Sequence, residues 1–418
     1  MILWSILIGL LAAIVVGVPI SFGLAAISLF IFFHADYAMT PIVSEAINGL
    51  DSFPLLAIPL FILVGEVMSE GGIAKRLVRL ASAMVGFISG GLGQIAVLTS
   101  MFFGGISGSA VADASAVGSM MIEPMKRHHY PAPLAAAIIV ASSVVGIIIP
   151  PSIPMILYGV VTNTSISQLF LAGIVPGIII TLGLAITTYF QSKKIGKAQP
   201  FSIGELGQAL RGALLAMLLP IIIVGGILTG IFTPTESAAF ALVYALGISM
   251  FVYRSLTVKR FFELCIATGK LTGIVMLLLA FANVLAWLLT ANMIPQQLVE
   301  ALGALSQSKF VILGILTLFL LLVGFFMDLT PAMVILAPLM TPIVVKLGVD
   351  PVYFGVLMSF VLGIGLITPP VGTVLYVGCG VGKVGMEQLV HRLLPFYFTL
   401  LALLVLFLVF PGLVLWYR

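Results

Sequence analysis

The sequence predicts an all-α polytopic membrane protein of two inverted repeats, each holding a re-entrant helical hairpin and a discontinuous helix. Three observations predict it. Apolar stretches of eighteen or more residues recur along a chain that is 61% hydrophobic and only 8% charged, against roughly 25% charged in ordinary soluble domains. A pattern occurs twice: 149–176 and 367–395 each hold a Pro-Pro pair, a Leu-Tyr pair, a Gln-Leu or Glu-Gln-Leu step and a closing Pro. The anchors are Pro150-Pro151 with Pro369-Pro370, Leu157-Tyr158 with Leu375-Tyr376, and Pro176 with Pro395; upstream, Ile73–Val78 parallels Ile294–Val299. Finally, the apolar stretches 94–124 and 310–345 are interrupted halfway by glycine, proline or polar residues, as in a segment that dips into the bilayer and returns. Halves that each break an apolar helix with Pro and Gly mark secondary transporters.

Spans are predicted at 2–17, 19–34, 52–69, 131–161, 168–190, 211–232, 237–253, 271–290, 351–381 and 395–417. The first two are short and split at Gly17-Val18-Pro19, so one long kinked helix is the alternative. The start, MILWSILIGL, lacks the basic region of a cleavable signal and reads as a retained span. Gly71–Leu80, with Lys75, Arg76 and Arg79, reads either as an amphipathic surface helix or as a plain loop.

Orientation follows from the basic residues. This arrangement puts Lys75, Arg76, Arg79, Lys126, Arg127, Lys193, Lys194, Lys197, Arg211, Arg254, Lys259, Arg260, Lys270, Lys383 and Arg392 on one side, leaving only Lys309, Lys346 and Arg418 of the 18 Lys and Arg opposite. The loop carrying Asp36, Glu45 and Asp51 falls with those three. The basic side is therefore expected to be cytoplasmic, with both termini periplasmic. Five crossings per half make the second half enter from the opposite face. Residues 1–190 form the first repeat, 191–210 a cytoplasmic linker and 211–418 the second repeat. Charge parity alone does not separate a re-entrant 94–124 from two full crossings.

Residues 104–119, GGISGSAVADASAVGS, concentrate small residues and hydroxyls around Asp113. An unpaired backbone group in hydrocarbon costs several kcal/mol, so such a stretch must be buried in protein or line a cavity. Hard monovalent cations are bound by neutral oxygens of this kind at helix breaks. Close packing through Gly104-Gly-Ile-Ser-Gly108 explains the run equally well. The Pro-Pro pairs shift the balance toward function, because their rings remove amide donors and free carbonyls one turn earlier. Freed carbonyls can coordinate a cation, and the new helix N-terminus can face an anion. Ser142, Ser143 and Ser152 surround the first break; Thr368, Gly372 and Thr373 surround the second. Asp328, at the interruption Gly324–Pro331, reads as a cation ligand, a proton carrier or a cap for the next helix. Asp113 has the weaker case, since it is free to point back to the cytoplasmic mouth. Glu236 in Thr-Pro-Thr-Glu reads as a helix start, Glu66 as a helix end, and Asn283 as a polar residue within a span.

Other chemistries are excluded. Cys265 and Cys379 make no disulfide framework, and the adjacent His128-His129 diverge on a helix. No phosphate-binding Gly-x-x-x-x-Gly-Lys-Ser/Thr loop and no nucleophile-base-acid set occurs, so the chain is not expected to be an enzyme.

GGISGSAVADASAVGS, followed by IIPPSIPMILYG and GLITPPVGTVLY, resembles the large membrane (M) subunit of tripartite ATP-independent periplasmic (TRAP) transporters, over essentially the whole chain. The resemblance implies an elevator-type transporter, driven by sodium, that imports organic acids including C4-dicarboxylates and sialic acid. It implies two partners: a periplasmic substrate-binding protein and a small four-helix membrane subunit, here expected as a separate polypeptide. It implies one Na+ site around Gly105, Ser107, Ser152 and backbone near Pro150, and a second around Gly324, Asp328, Thr368 and Gly372. The substrate is expected between the hairpin tips near Ser109 and Thr373, with Ser152 beside it. Neither motif contains Arg or Lys, so helix N-termini, hydroxyls and bound cations must meet an anionic substrate. The alternatives are a stand-alone sodium/dicarboxylate symporter and, from another class, a channel or a purely structural membrane subunit. The paired helix breaks argue against the channel, which needs an open path.

Overall fold

A computed structural model describes residues 6, 8–9, 12–13, 16–195, 200–305 and 308–418. Most of the expected first span, 2–17, and residues 196–199 of the expected linker lie outside the described residues. The described chain is helical: α1 Ile20–His34, α2 Thr40–Asn48, α3 Ala57–Glu70, α4 Ile73–Val85, α5 Gly91–Ser107, α6 Ala110–Arg127, α7 Ala132–Ser143, α8 Ile153–Thr162 and α9 Ile166–Ser192. The remainder is α10 Ile203–Leu228, α11 Pro234–Gly247, α12 Val258–Ala291, α13 Ile294–Leu305, α14 Lys309–Phe326, α15 Leu329–Lys346, α16 Pro351–Leu366, α17 Thr373–Gly382 and α18 Met386–Val409. Among the described residues, eight helices are long and apolar enough to cross a membrane, including both arms of the 309–346 hairpin.

The order membrane-length helix, short helix, hairpin, broken helix, long helix runs over 53–192, where a 3-10 turn extends α3 back to Phe53, and again over 258–409. Both interrupted stretches are helical hairpins, α5–α6 and α14–α15. Both Pro-Pro segments lie in breaks, between α7 and α8 and between α16 and α17, and both Pro-Pro bonds are cis. Local sequence sets the helix starts. Ser165, Ser202 and Thr257 each accept a backbone amide from three residues on, satisfying a donor that the first turn leaves unpaired. Thr233 and Glu236 close a reciprocal capping box, the helix start expected of Glu236.

Three expectations change. Residues 40–48 of the expected acidic loop form α2, held to α12 where Asn283 donates to the Glu45 carbonyl (2.8 Å) and carboxylate (3.2 Å). Glu66 does not end its helix, which runs four residues further to Glu70. The span expected at 271–290 is the 34-residue α12, about 51 Å long against a hydrocarbon core of about 30 Å. Of the 71–80 segment, residues 73–80 fall in α4, an amphipathic helix that buries Ile73, Leu77 and Leu80 and exposes Lys75 and Arg79.

The halves interlock. Each hairpin packs on the first half of its own broken helix, α6 on α7 and α15 on α16. Each also receives the second half of the other one, α17 on α6 and α8 on α15. Tyr158 on buried α8 seals the latter seam, its hydroxyl donating to the Pro351 carbonyl (2.8 Å) beside the Thr341 hydroxyl (3.0 Å). The long helices α9 and α18 pack together behind, where the Thr187 and Thr399 hydroxyls pair at 2.5 Å.

Candidate functional site

The first half-site is a hairpin tip docked on a helix break. Gly108 ends α5 in the left-handed conformation at φ 62°, which lacks a steric penalty only for glycine. A Cβ there would also lie 2.7 Å from the Pro151 carbonyl oxygen and 3.1 Å from the Ile153 nitrogen. The Gly108 carbonyl accepts the Ile153 amide at 3.3 Å, tying tip to break. Pro151 has no amide to give the carbonyl four residues back, at Ile147; the Ser152 hydroxyl donates to it instead at 2.6 Å. The same oxygen accepts the Met155 amide at 3.3 Å and caps α8. Ser152 and Ser107 are buried, and the Ser107 oxygen accepts the Ser109 amide at 3.4 Å. A Cβ on Gly105 would lie 3.6 Å from the Pro150 carbonyl oxygen. Among the described residues no backbone hydrogen bond outside the helices ends on the Ile149 or Pro150 carbonyl. Gly105, Ser107, Pro150 and Ser152 thus stand together, with hydroxyl and carbonyl oxygens around one break.

Asp113 belongs to this half-site. It does not reach a cytoplasmic mouth: the residue is 0% exposed, and neither carboxylate oxygen makes a hydrogen bond. It sits in the first turn of α6, close to Ser100 but outside hydrogen-bonding geometry. The 3-10 turn Val144–Ile147 faces it, where a Cβ on Gly146 would come 3.8 Å from its Oδ2. Space for the carboxylate exists because Gly104 and Gly146 meet backbone to backbone, a Cβ on Gly146 falling 3.1 Å from the Gly104 Cα. An isolated buried carboxylate is costly unless a cation or proton accompanies it. The sequence signal was there, a carboxylate one turn after a helix-starting Ser, but its direction depends on the glycine contact across the break.

The second half-site repeats the plan with different chemistry. Gly324 and Gly365 make the matching backbone contact, a Cβ on Gly324 lying 3.3 Å from the Gly365 Cα. The Phe325 carbonyl accepts the Val371 amide at 3.3 Å, as Gly108 accepts Ile153. Thr368 donates its hydroxyl to the Ile364 carbonyl (2.7 Å), and Tyr397 donates to the Ile367 carbonyl (2.5 Å). A Cβ on Gly372 would stand 2.8 Å from the Thr368 carbonyl oxygen and 3.0 Å from that of Leu366. Asp328 occupies the N-cap position of α15 without closing a capping hydrogen bond; its half-buried carboxylate lies near the Leu329 and Thr330 amides and the Thr373 hydroxyl. Gly324, Asp328, Thr368, Gly372 and Thr373 are therefore also assembled around one break.

Ser109 and Thr373 start α6 and α17 and are both half-buried. The Ser109 oxygen accepts the Ala112 amide at 3.4 Å, while the Thr373 hydroxyl makes no hydrogen bond. Among the described residues no hydrogen bond joins one half-site to the other. No group of three or more His, Cys, Asp or Glu is placed to hold a metal ion among them. Carbonyls, hydroxyls and one carboxylate per half-site suit a hard monovalent cation rather than a soft transition metal.

Known proteins resemble this chain throughout. Residues 7–413 match the family model "Tripartite ATP-independent periplasmic transporter, DctM component". The 2,3-diketo-L-gulonate TRAP transporter large permease protein YiaN of Escherichia coli (strain K12) is 40% identical over 97% of this chain and 96% of its own. The sialic acid TRAP transporter large permease protein SiaM of Vibrio cholerae is 37% identical, over 96% and 95%. The C4-dicarboxylate TRAP transporter large permease protein DctM of Rhodobacter capsulatus is 35% identical, over 97% of each. The crystal structure of the YdaH transporter of Alcanivorax borkumensis superposes with a TM-score of 0.58 at 17% identity, covering 89% of this chain and 87% of that one.

Proposed function

Because this chain belongs to the DctM component family of tripartite ATP-independent periplasmic transporters, as a multi-pass large permease subunit and not an enzyme, we propose that it imports an organic acid with sodium. The acid is of the C4-dicarboxylate or sialic acid class, delivered by a periplasmic substrate-binding protein across the bacterial inner membrane. A small membrane subunit completes the permease. The residues 1–190 and 211–418 act as inverted repeats with re-entrant hairpins, and an elevator movement alternates access.

One observation carries the coupling: Asp113, fully buried and without a hydrogen-bonding partner, faces the Val144–Ile147 turn just before the first helix break. The first cation would be held by Asp113, Gly105, Ser107, Ser152 and the Pro150 carbonyl. The second would be held by Asp328, Gly324, Thr368 and Gly372. Substrate would lie between Ser109, Ser152 and Thr373. Neither half-site contains Lys or Arg, so with the cation sites empty an anionic acid meets two carboxylates. Filling those sites removes the repulsion and leaves the N-termini of α6, α8 and α17 to receive the acid's oxygens.

The test is uptake of sialic acid and of succinate by proteoliposomes holding this chain with its small subunit, with sodium and binding protein varied independently. Uptake that requires both supports the reading. Uptake with sodium alone makes the chain a stand-alone symporter, and uptake indifferent to sodium refutes the coupling.

A further inference from the structure

A second feature lies far in sequence from the helix breaks, where residues 70–79 meet 253–263. The Arg76 guanidinium stacks 3.4 Å above the Tyr253 ring, and the Ser255 hydroxyl donates to the Gly71 carbonyl at 2.6 Å. Arg260 is paired with Glu70 and with Glu263 (2.7 Å for the latter). These contacts use up two nearby carboxylates and hold the segments in one surface. Over 66–79 and 249–263 there are six cations against three carboxylates. The surplus is displayed: Lys75, Arg79, Arg254 and Lys259 are all exposed, and their side chains make no hydrogen bond or ion pair among the described residues.

Two further observations say what this surplus faces. The cations are bordered by apolar side chains that the fold leaves bare, Phe251 (79% exposed), Val258 (63%) and Phe262 (62%), at the ends of two helices apolar enough to cross a membrane. Arg254 takes a left-handed backbone, φ 50°, which favours Gly or Asn and leaves the turn with no use for a long cationic side chain.

We propose that the junction of residues 70–79 with 253–263 binds the phosphate of an anionic phospholipid, through Lys75, Arg79, Arg254 and Lys259. Phe251, Val258 and Phe262 lie along its acyl chains. Basic groups at the membrane surface attract anionic headgroups, and here the internal pairs of Arg260 and Arg76 keep the surface rigid while the other four remain available. The lipid bridges the start of α4 and the start of α12, and so braces the short helix beside the first hairpin against the longest helix of the chain.

The complex with the small subunit is placed in nanodiscs of phosphatidylcholine with a defined fraction of phosphatidylglycerol, and retained lipid is measured by native mass spectrometry. Wild type should retain phosphatidylglycerol selectively. Lys75→Gln, Arg79→Gln, Arg254→Asn and Lys259→Gln should together weaken retention by about 10²–10³-fold, about fivefold for each cation. Asn at 254 keeps the turn; should the fourfold variant fail to fold, Lys75→Gln with Lys259→Gln should lose about 25-fold. Lys193→Gln with Lys194→Gln, outside the junction, should change nothing. Equal retention by wild type and variant overturns the proposal. So does phosphatidylglycerol binding that emerges only after the small subunit is stripped away, because the surface then belongs to a protein partner.

Discussion

Replacing Asp113 by Asn separates a structural carboxylate from one that waits for a cation, because the two roles predict opposite signs. The side chains are nearly isosteric, so the packing between α6 and the Val144–Ile147 turn is kept. The carboxylate is fully buried with both oxygens unpaired, and where no cation accompanies it the price of an unpaired buried charge exceeds that of an unpaired amide by about 1–3 kcal/mol. Asp113→Asn should therefore stabilise the sodium-free protein by about that amount. With sodium the order reverses. A ligand at a hundred times its dissociation constant stabilises the native state by about 2.7 kcal/mol, and the variant should lose the share of this owed to the first half-site. Thermal unfolding in detergent, titrated with sodium against choline, reads both effects, and uptake by proteoliposomes should lose its sodium dependence in parallel. A variant with an unchanged sodium-induced shift would refute the assignment. A variant less stable without sodium would show that Asp113 has a structural partner.

The second half-site gives a parallel expectation: Asp328→Ala and Ser107→Ala should each weaken sodium dependence of uptake more than they lower the unfolding midpoint, and wild-type sodium dependence in both would dismiss the ligand sets. Gly365→Ala would place a Cβ 2.6 Å from the Gly324 carbonyl oxygen, against backbone that has no rotamer to change; overpacking of this kind costs about 1–3 kcal/mol, and uptake should fall at least tenfold while membrane insertion by fractionation stays normal. Tyr158→Phe removes the hydroxyl that bonds Pro351 and Thr341 across the repeats, at about 0.6–1.7 kcal/mol for each bond. The repeat-equivalent Tyr376→Phe, at an exposed residue, should stay within about 0.5 kcal/mol in the same unfolding assay.

The breaks and tips were legible because they are local. A Pro-Pro pair cannot continue a helix, Gly108 supplies the left-handed turn, and Asp328-Leu-Thr-Pro331 marks a helix start wherever it stands in a chain. What was not legible depends on partners distant in sequence. The helix at 40–48 is only nine residues long and is held by Asn283, 238 positions from Glu45. The Leu-Tyr pairs look equivalent in sequence, yet Tyr158 is enclosed behind Gly355 while Tyr376 faces outward. Asp113 is the sharpest case. Nothing in GSAVADAS distinguishes a carboxylate pointing to water from one sealed inside; the Gly104–Gly146 approach decides, and that contact spans a hairpin and a break.

The two half-sites place their single carboxylates differently within one plan. In the second, Asp328 stands at the N-cap of α15, where its charge faces the first amides of that helix. In the first, the N-cap is the neutral Ser109 and the carboxylate stands four residues later, inside the first turn at Asp113. A helix N-terminus carries a partial positive charge of about half a unit, so a carboxylate at the cap cancels much of what an anionic substrate would otherwise meet. Moving it one turn inward leaves the amides of α6 open to the substrate and still offers a full negative charge to a cation behind them. On the proposed reading α6 would receive the acid, and the charge at α15 would have to be neutralised first. The two half-sites thus share one helical plan and differ in where the carboxylate stands along its helix.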